Sequence, residues 1–199
     1  MSPHRFGAPQ LAALALVAAA GSVMPAFAGG RVAKDRPEAA AHDALKVASQ
    51  AFTPNGALPA KYSARGGNRS PPLSWSAAAK AQSYALIVED PDAPGTSPHV
   101  HWLAWNIPAS VTALPEGVPA TPRVVQPAPM RQGRNGAQTT GYSGPNPPPG
   151  PAHHYHFQVF ALDTTLQAPP PGSDRESLLA AMRGHVLAKG DLVGTYRQK

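Results

Sequence analysis

The sequence has no cysteine. Disulfides are therefore excluded, and no cysteine set supports a metal site. A chain of this size does not need disulfides to survive outside the cell, so the absence does not bear on export. Acidic residues are also few, 11 against 17 Lys and Arg, for a formal charge of +6. The basic residues form no long block. A mild, dispersed positive charge favours small anions weakly and does not imply a nucleic-acid partner. There is no H-E-x-x-H and no G-x-S-x-G, so the commonest zinc-hydrolase and serine-hydrolase signatures are missing. The longest apolar run, Leu11 to Ala20, is too short to span a bilayer comfortably.

Proline and glycine, by contrast, are abundant, at 25 and 18 residues, and they fall mostly between apolar runs. That pattern reads as a loop-rich β protein rather than a disordered chain. Residues 1–28 read as a signal peptide, with Arg5, the apolar run and an Ala26-Phe27-Ala28 site cleaved before Gly29. The alternative is an uncleaved N-terminal anchor. Cleavage places the protein in the periplasm or outside the cell. It leaves 171 of the 199 residues, and, since Arg5 is the only charged residue removed, a charge of +5 instead of +6. Residues 29–44 read as a flexible leader, in which a short helix is the alternative, and 45–199 as a single domain.

Within that domain, Leu45 to Phe52 reads as a first strand and Pro71 to Ser76 as an edge or entry strand. The apolar run 83–90 reads as a buried strand. In 99–107, period-2 geometry puts His99, His101, Leu103 and Trp105 on one face. In 153–163, His153, Tyr155, Phe157 and Val159 share a face. Ser110 to Gly144 lacks clear periodicity and reads as a long surface loop. Ser173 with Glu176 fits a capping box, and Gly190 fits a helix stop. Leu178, Leu179, Met182, Val186 and Leu187 supply the apolar stripe, and Leu192 to Tyr196 a last short strand. The expected class is mainly β with a peripheral C-terminal helix.

Chemistry concentrates in two stretches. Asp90-Pro91-Asp92-Ala93-Pro94 fixes two carboxylates at a strand end between prolines. Gly144-Pro145-Asn146-Pro147-Pro148-Pro149-Gly150 leads into His153-His154-Tyr155-His156. These segments are expected to meet in one polar, His-rich pocket. Asp90 and Asp92 fit either an acid/base pair or a plain turn motif. His99 and His101 fit either a metal pair or a partly buried His pair. Ser143 is not in a nucleophile elbow, and the prolines after it cannot build the helix an elbow needs. An anion pocket fits better: imidazoles and loop N–H groups donate, and carboxylates orient the imidazoles.

These motifs, with Asn68-Arg69-Ser70-Pro71-Pro72-Leu73-Ser74-Trp75, His101-Trp102, Asn106-Ile107-Pro108 and Tyr142-Ser143-Gly144-Pro145, resemble the phosphatidylethanolamine-binding protein family in its bacterial, Raf kinase inhibitor-like branch. The resemblance covers about Phe52 to Tyr196. It implies a central antiparallel β-sheet packed against a smaller sheet, and a pocket for small anionic or phosphorylated ligands such as phospholipid head groups or nucleotides. By position that pocket would use Asp90, Asp92, His101, Pro147, His153 and Tyr155, with Gly144 in its loop. No cofactor, resident metal or catalytic residue is expected. Relatives in eukaryotes inhibit kinases and some serine proteases. A protein client, such as a secreted or periplasmic protease or a kinase, is therefore the alternative partner, and a symmetric homodimer is implied by resemblance alone. A hydrolase is the weaker alternative. Asn146 departs from the pattern, because many bacterial relatives carry Cys there; this removes a thiol-based role but not the pocket.

Overall fold

The computed structural model describes residues 1, 30–167 and 173–198; the signal-peptide reading lies outside them. Among the described residues the chain is mainly β, with two sheets and one α-helix. Four long strands carry the larger sheet: β4 (Ser83–Asp90), β5 (His99–Pro108), β9 (His153–Leu162) and β10 (Val186–Tyr196). The short strands are β1 (Asp43–Ala44), β2 (Val47–Ala48), β3 (Leu73–Trp75), β6 (Ala113–Leu114), β7 (Arg123–Val124) and β8 (Met130–Gln132). The larger sheet runs β1-β10-β9-β4-β5-β8-β7, antiparallel except for the β1–β10 pair; the smaller runs β2-β3-β6.

β4 lies near the middle of the large sheet, and all eight of its residues are buried, which explains its unbroken apolar run: both faces are covered. Tyr84, Leu86 and Val88 point into the core shared with the small sheet, where Trp75, Leu114 and Phe157 meet them. Ala85 and Ile87 point the other way, towards Leu178, Leu179 and Met182 of helix α1 (Arg175–Met182). Each fully buried Leu, Ile or Phe contributes about 1.5–3 kcal/mol.

Glu89 continues the helix-side face of β4 and has no exposure. Arg175 Nε donates to its Oε1, while Ala33 N–H (2.8 Å) and Gln158 Nε2 (2.9 Å) donate to its Oε2. A buried carboxylate is tolerable only with such partners. This knot also ties down the segment expected to be a flexible leader. Ala33–Asp35 and Pro37–Ala39 form two short 3-10 turns, with Ala33 and Ala39 buried against the helix layer.

Other expectations change in the same way. The expected Leu45–Phe52 strand is only β2. Pro71–Ser76 yields β3, which is central in the small sheet rather than at its edge. The 110–144 stretch is not a surface loop: it supplies β6, β7 and β8 and buries Leu114, Val124, Met130 and Gln132. Strands of two or three residues are too short to show a period. The helix begins at a different cap, since Asp174 accepts from Ser177 N–H at 2.9 Å, and it ends at Met182 instead of continuing to Gly190. Gly184, at φ +79°, turns the chain where L-residues resist. Residues 186–196 then form the eleven-residue β10 instead of a helix tail and a short strand.

Candidate functional site

The site lies at one end of the large sheet, where β4 ends, β5 begins and β9 begins. Asp90 and His99 are register partners there. Asp90, 3% exposed, uses its carboxylate twice. Oδ1 accepts from Asp92 N–H (2.8 Å) and Ala93 N–H (3.1 Å), so the side chain builds the turn that the prolines stiffen. Oδ2 meets His153 Nδ1 at 2.8 Å. A carboxylate accepts, so Nδ1 carries the proton.

Asp92 is placed differently from Asp90. Its Oδ2 accepts from the His154 backbone N–H (2.8 Å) and meets the His154 ring at 2.7 Å, on the exposed side. It does not line the pocket. The two carboxylates are therefore no acid/base pair. Each grips one of the first two residues of β9, and because neighbours on a strand point to opposite faces, only Asp90 and His153 turn inward.

His101 reaches the pocket through a bulge. Val88 pairs with Trp102 and Glu89 with Val100, which leaves His101 as the extra residue. The bulge breaks the expected alternation. Leu103 and Trp105 pack on the helix side, whereas His101 turns to the other side and stacks edge-on against Tyr155, with ring centres 5.1 Å apart. His101 Nδ1 lies 2.6 Å from the Ser143 carbonyl. A carbonyl only accepts, so Nδ1 donates. Burial pushes the imidazole down to about 4, against the smaller opposing pull of the Ser143 carbonyl. At neutral pH His101 is therefore uncharged, and its Nε2 holds a lone pair.

Tyr155 is 1% exposed, and among the described residues its hydroxyl has no partner at hydrogen-bond distance, although the Asp90 carboxylate lies near enough to act on it. Burial, and then the nearby Asp90 charge, push the phenol well above its ordinary value, so it stays an O–H donor. Among the described residues no group is hydrogen-bonded to Nε2 of His101 or of His153, and both rings line the pocket.

The opposite wall is the 143–148 loop, with Gly144 and Pro147 in the lining. Gly144 N–H donates to Asn68 Oδ1 at 2.7 Å. A Cβ there would stand 2.2 Å from the Tyr62 carbonyl oxygen, so only glycine lets the loop press against residues 62–64. Tyr142 O–H donates to that same carbonyl at 2.9 Å.

Together these groups border a pocket of about 470 Å³. The structure brings Asp90, His101, Gly144, Pro147, His153 and Tyr155 into it and leaves Asp92 outside. Sequence reasoning missed the Ser143 carbonyl, the Asn68 clamp and the Ala64 wall, which are backbone or long-range features with no signature. His99 also lines the pocket, 4.9 Å from the His101 ring; its H-x-H spacing was the available signal. Among the described residues that line the pocket none is Lys or Arg. Among the described residues, too, no cluster of three or more His, Cys, Asp or Glu is placed to hold a metal.

Comparison with known proteins agrees with this architecture. The family model described as "Phosphatidylethanolamine-binding protein" matches residues 48–197. The UPF0098 protein PH1269 of Pyrococcus horikoshii is 49% identical over 158 residues, covering 78% of this chain and 77% of that protein. A UPF0098 protein of Methanothermobacter thermautotrophicus is 44% identical, over 77% of this chain and 99% of its own. The crystal structure of E. coli YbcL, described as a new member of the mammalian PEBP family, superposes with a TM-score of 0.73 at 32% identity, over 78% of this chain and 99% of YbcL. With this mainly β fold and a family match across three quarters of its length, the chain belongs to the phosphatidylethanolamine-binding protein family.

Proposed function

We propose that this chain is a non-enzymatic binding protein whose pocket holds a small anionic, phosphorylated ligand of the head-group or nucleotide kind. One observation carries the reading: among the described residues the buried Tyr155 hydroxyl has no partner at hydrogen-bond distance, and it lines the same pocket as the His101 and His153 imidazoles. Leaving a buried hydroxyl unsatisfied costs about 1–3 kcal/mol. A ligand oxygen would recover that free energy on binding. Binding rather than turnover is supported by what the imidazoles touch. Their protein partners are a carboxylate and a backbone carbonyl, and among the described residues no Ser, Thr or Lys side chain is hydrogen-bonded to either ring.

The test is calorimetric titration of phosphoethanolamine into the protein and into His153→Ala. The variant should lose binding while keeping its cooperative unfolding; unchanged affinity removes the assigned pocket. We also take the protein to act outside the cytoplasm, on the strength of residues 1–28. Sequencing the exported chain should find Gly29 first, and an intact Met1 in the cytoplasm would contradict this.

A further inference from the structure

The β7 edge of the large sheet carries a charge that the chain itself does not balance. β7 ends the strand order, with β8 as its neighbour. Gln132 N–H donates to the Pro122 carbonyl at 3.0 Å. Antiparallel bonding alternates, so the next register pair, Arg123 with Arg131, is a non-hydrogen-bonded one. Its side chains share a face, with Cα atoms about 4.5 Å apart. Like charges placed directly opposite in this way are destabilising. Among the described residues neither guanidinium has an ion pair or a hydrogen bond. Of the 11 acidic side chains, all but Asp43 are engaged elsewhere in ion pairs or hydrogen bonds. Asp43 lies on β1, at the opposite edge of the sheet. Residues 2–29, 168–172 and 199 add no Asp or Glu. Val125, just past β7, is 66% exposed; Met1 apart, it is the one large apolar side chain so exposed among the described residues.

We propose that β7 is a docking edge for a short, extended, acidic segment of a partner protein, with a carboxylate against Arg123 and Arg131 and an apolar side chain over Val125. The main chain agrees with the charge. In a non-hydrogen-bonded pair the amide points away from the neighbouring strand, so Arg123 N–H faces the open side and offers an added strand a donor. The Arg123 carbonyl already accepts from Thr121 Oγ1 at 3.0 Å. Pro122 and Pro127 confine the edge to the residues between them. A strand added about 4.8 Å beyond β7 brings a carboxylate opposite Arg123 within reach of both guanidinia and offsets their repulsion. Guarding an edge against unwanted pairing needs only one charge; the second, at the closest register, is what a partner accounts for. A membrane surface takes clusters of about four to eight basic residues, more than this pair supplies. Nucleic acid calls for stacking aromatics, and no Trp, Tyr or Phe is exposed among the described residues. The edge is separate from the pocket, which neither β7 nor β8 lines.

The probe is a dye-labelled peptide, acetyl-Val-Thr-Glu-Thr-Glu-amide, followed by fluorescence anisotropy with the full chain. Laid antiparallel to β7, it sets its Val opposite Val125 and its first Glu opposite Arg123. The same peptide with Gln for Glu, and vesicles of phosphatidylglycerol and phosphatidylcholine, are the comparisons. The Glu peptide should bind about 10-fold or more tightly than the Gln peptide, and added salt should weaken it. Arg123→Glu gives Arg131 a partner within the chain, so it should abolish peptide binding and raise the urea midpoint of unfolding. Arg131→Gln removes the repulsion and should weaken binding while also raising that midpoint. Equal binding of the two peptides, undiminished binding by Arg123→Glu, or no binding of the Glu peptide overturns the proposal. So does a lower urea midpoint in both variants, which would make the arginines structural. Vesicle binding in preference to the peptide would make the edge a membrane contact, and self-association lost in Arg123→Glu would give it to a second copy; each overturns the assignment to an acidic partner.

Discussion

Replacing Asp90 by Asn keeps the shape of the side chain and changes only what it can accept. The Asn carbonyl can retain the N–H groups of Asp92 and Ala93, now held at 2.8 and 3.1 Å. The amide nitrogen must then occupy the place of Oδ2, 2.8 Å from His153 Nδ1. An amide N–H facing an imidazole N–H is repulsive, so His153 must give up its Nδ1 proton and carry it on Nε2. Three hydrogen bonds cease to be charge-assisted. At about 1 kcal/mol each, from the difference between charged and neutral bonds, the stability loss is up to about 3 kcal/mol. The ligand effect is more diagnostic. The pocket-facing nitrogen of His153 turns from acceptor to donor as one negative charge disappears. Dimethyl phosphate should gain affinity relative to methylphosphonate by about 10- to 100-fold, for a change of about 1.5–3 kcal/mol. Imidazole ¹⁵N shifts report the tautomer, urea unfolding the stability, and calorimetry the ratio of affinities. If His153 keeps its Nδ1 proton in Asp90→Asn and the ratio does not move, the dyad does not set the chemistry of the pocket and the reasoning fails.

Other outcomes follow from the same geometry. The buried His101 imidazole, pushed down to about 4 against an ordinary 6.5, stays neutral in the folded chain while the unfolded chain takes up a proton. Stability should thus be full above pH 6.5 and fall as pH drops towards 4, by on the order of 3 kcal/mol; denaturation curves of His101→Gln should be flatter across that window, and an identical slope would contradict the assignment. Gly144→Ala places a methyl 2.2 Å from the Tyr62 carbonyl oxygen and should cost about 1–3 kcal/mol in chemical denaturation, with weakened ligand binding as the loop retreats; wild-type stability would mean the loop is not pressed there. Arg175→Met leaves Glu89 buried without its cation and should destabilise by about 3–5 kcal/mol. The double variant with Glu89→Gln should recover much of that loss, and simple additivity in a double-mutant cycle would argue against a coupled pair.

The sequence made the long elements readable. β4, β5 and β9 each carry enough residues for a period or an apolar run to appear, and prolines mark where β4 and β5 stop. Asp90 was legible for the same reason, held at a strand end by Pro91. Asp92 shows the limit of that signal: two residues along, it has the same chemistry and the same prolines, yet strand alternation at His153 and His154 sends it outside. His101 is a second limit. No composition rule announces a bulge, and without it period-2 reasoning puts His101 beside Leu103. The C-terminal region misled because Val186 and Leu187 continue the helical spacing of Leu178, Leu179 and Met182. Gly184 at φ +79° ends that pattern, and pairing with β9 claims the rest. The leader was misread because its anchors, the Ala33 N–H on Glu89 and the Lys34 N–H on Gln158, lie 56 and 124 residues away in the chain. Tertiary contacts of that range leave no local trace.

The central claim is that one pocket, built on His101, His153 and Tyr155, is the ligand site. An NMR titration of the protein with phosphoethanolamine at pH 6, following the imidazole and phenol resonances, tests it most directly. The account predicts saturable shifts at His101, His153 and Tyr155, a smaller one at His99, and none at His154, His156 or His185, which pair with Asp92, Asp191 and Asp163 away from the pocket. Uniform small shifts across all histidines, or silence at millimolar ligand, would contradict it.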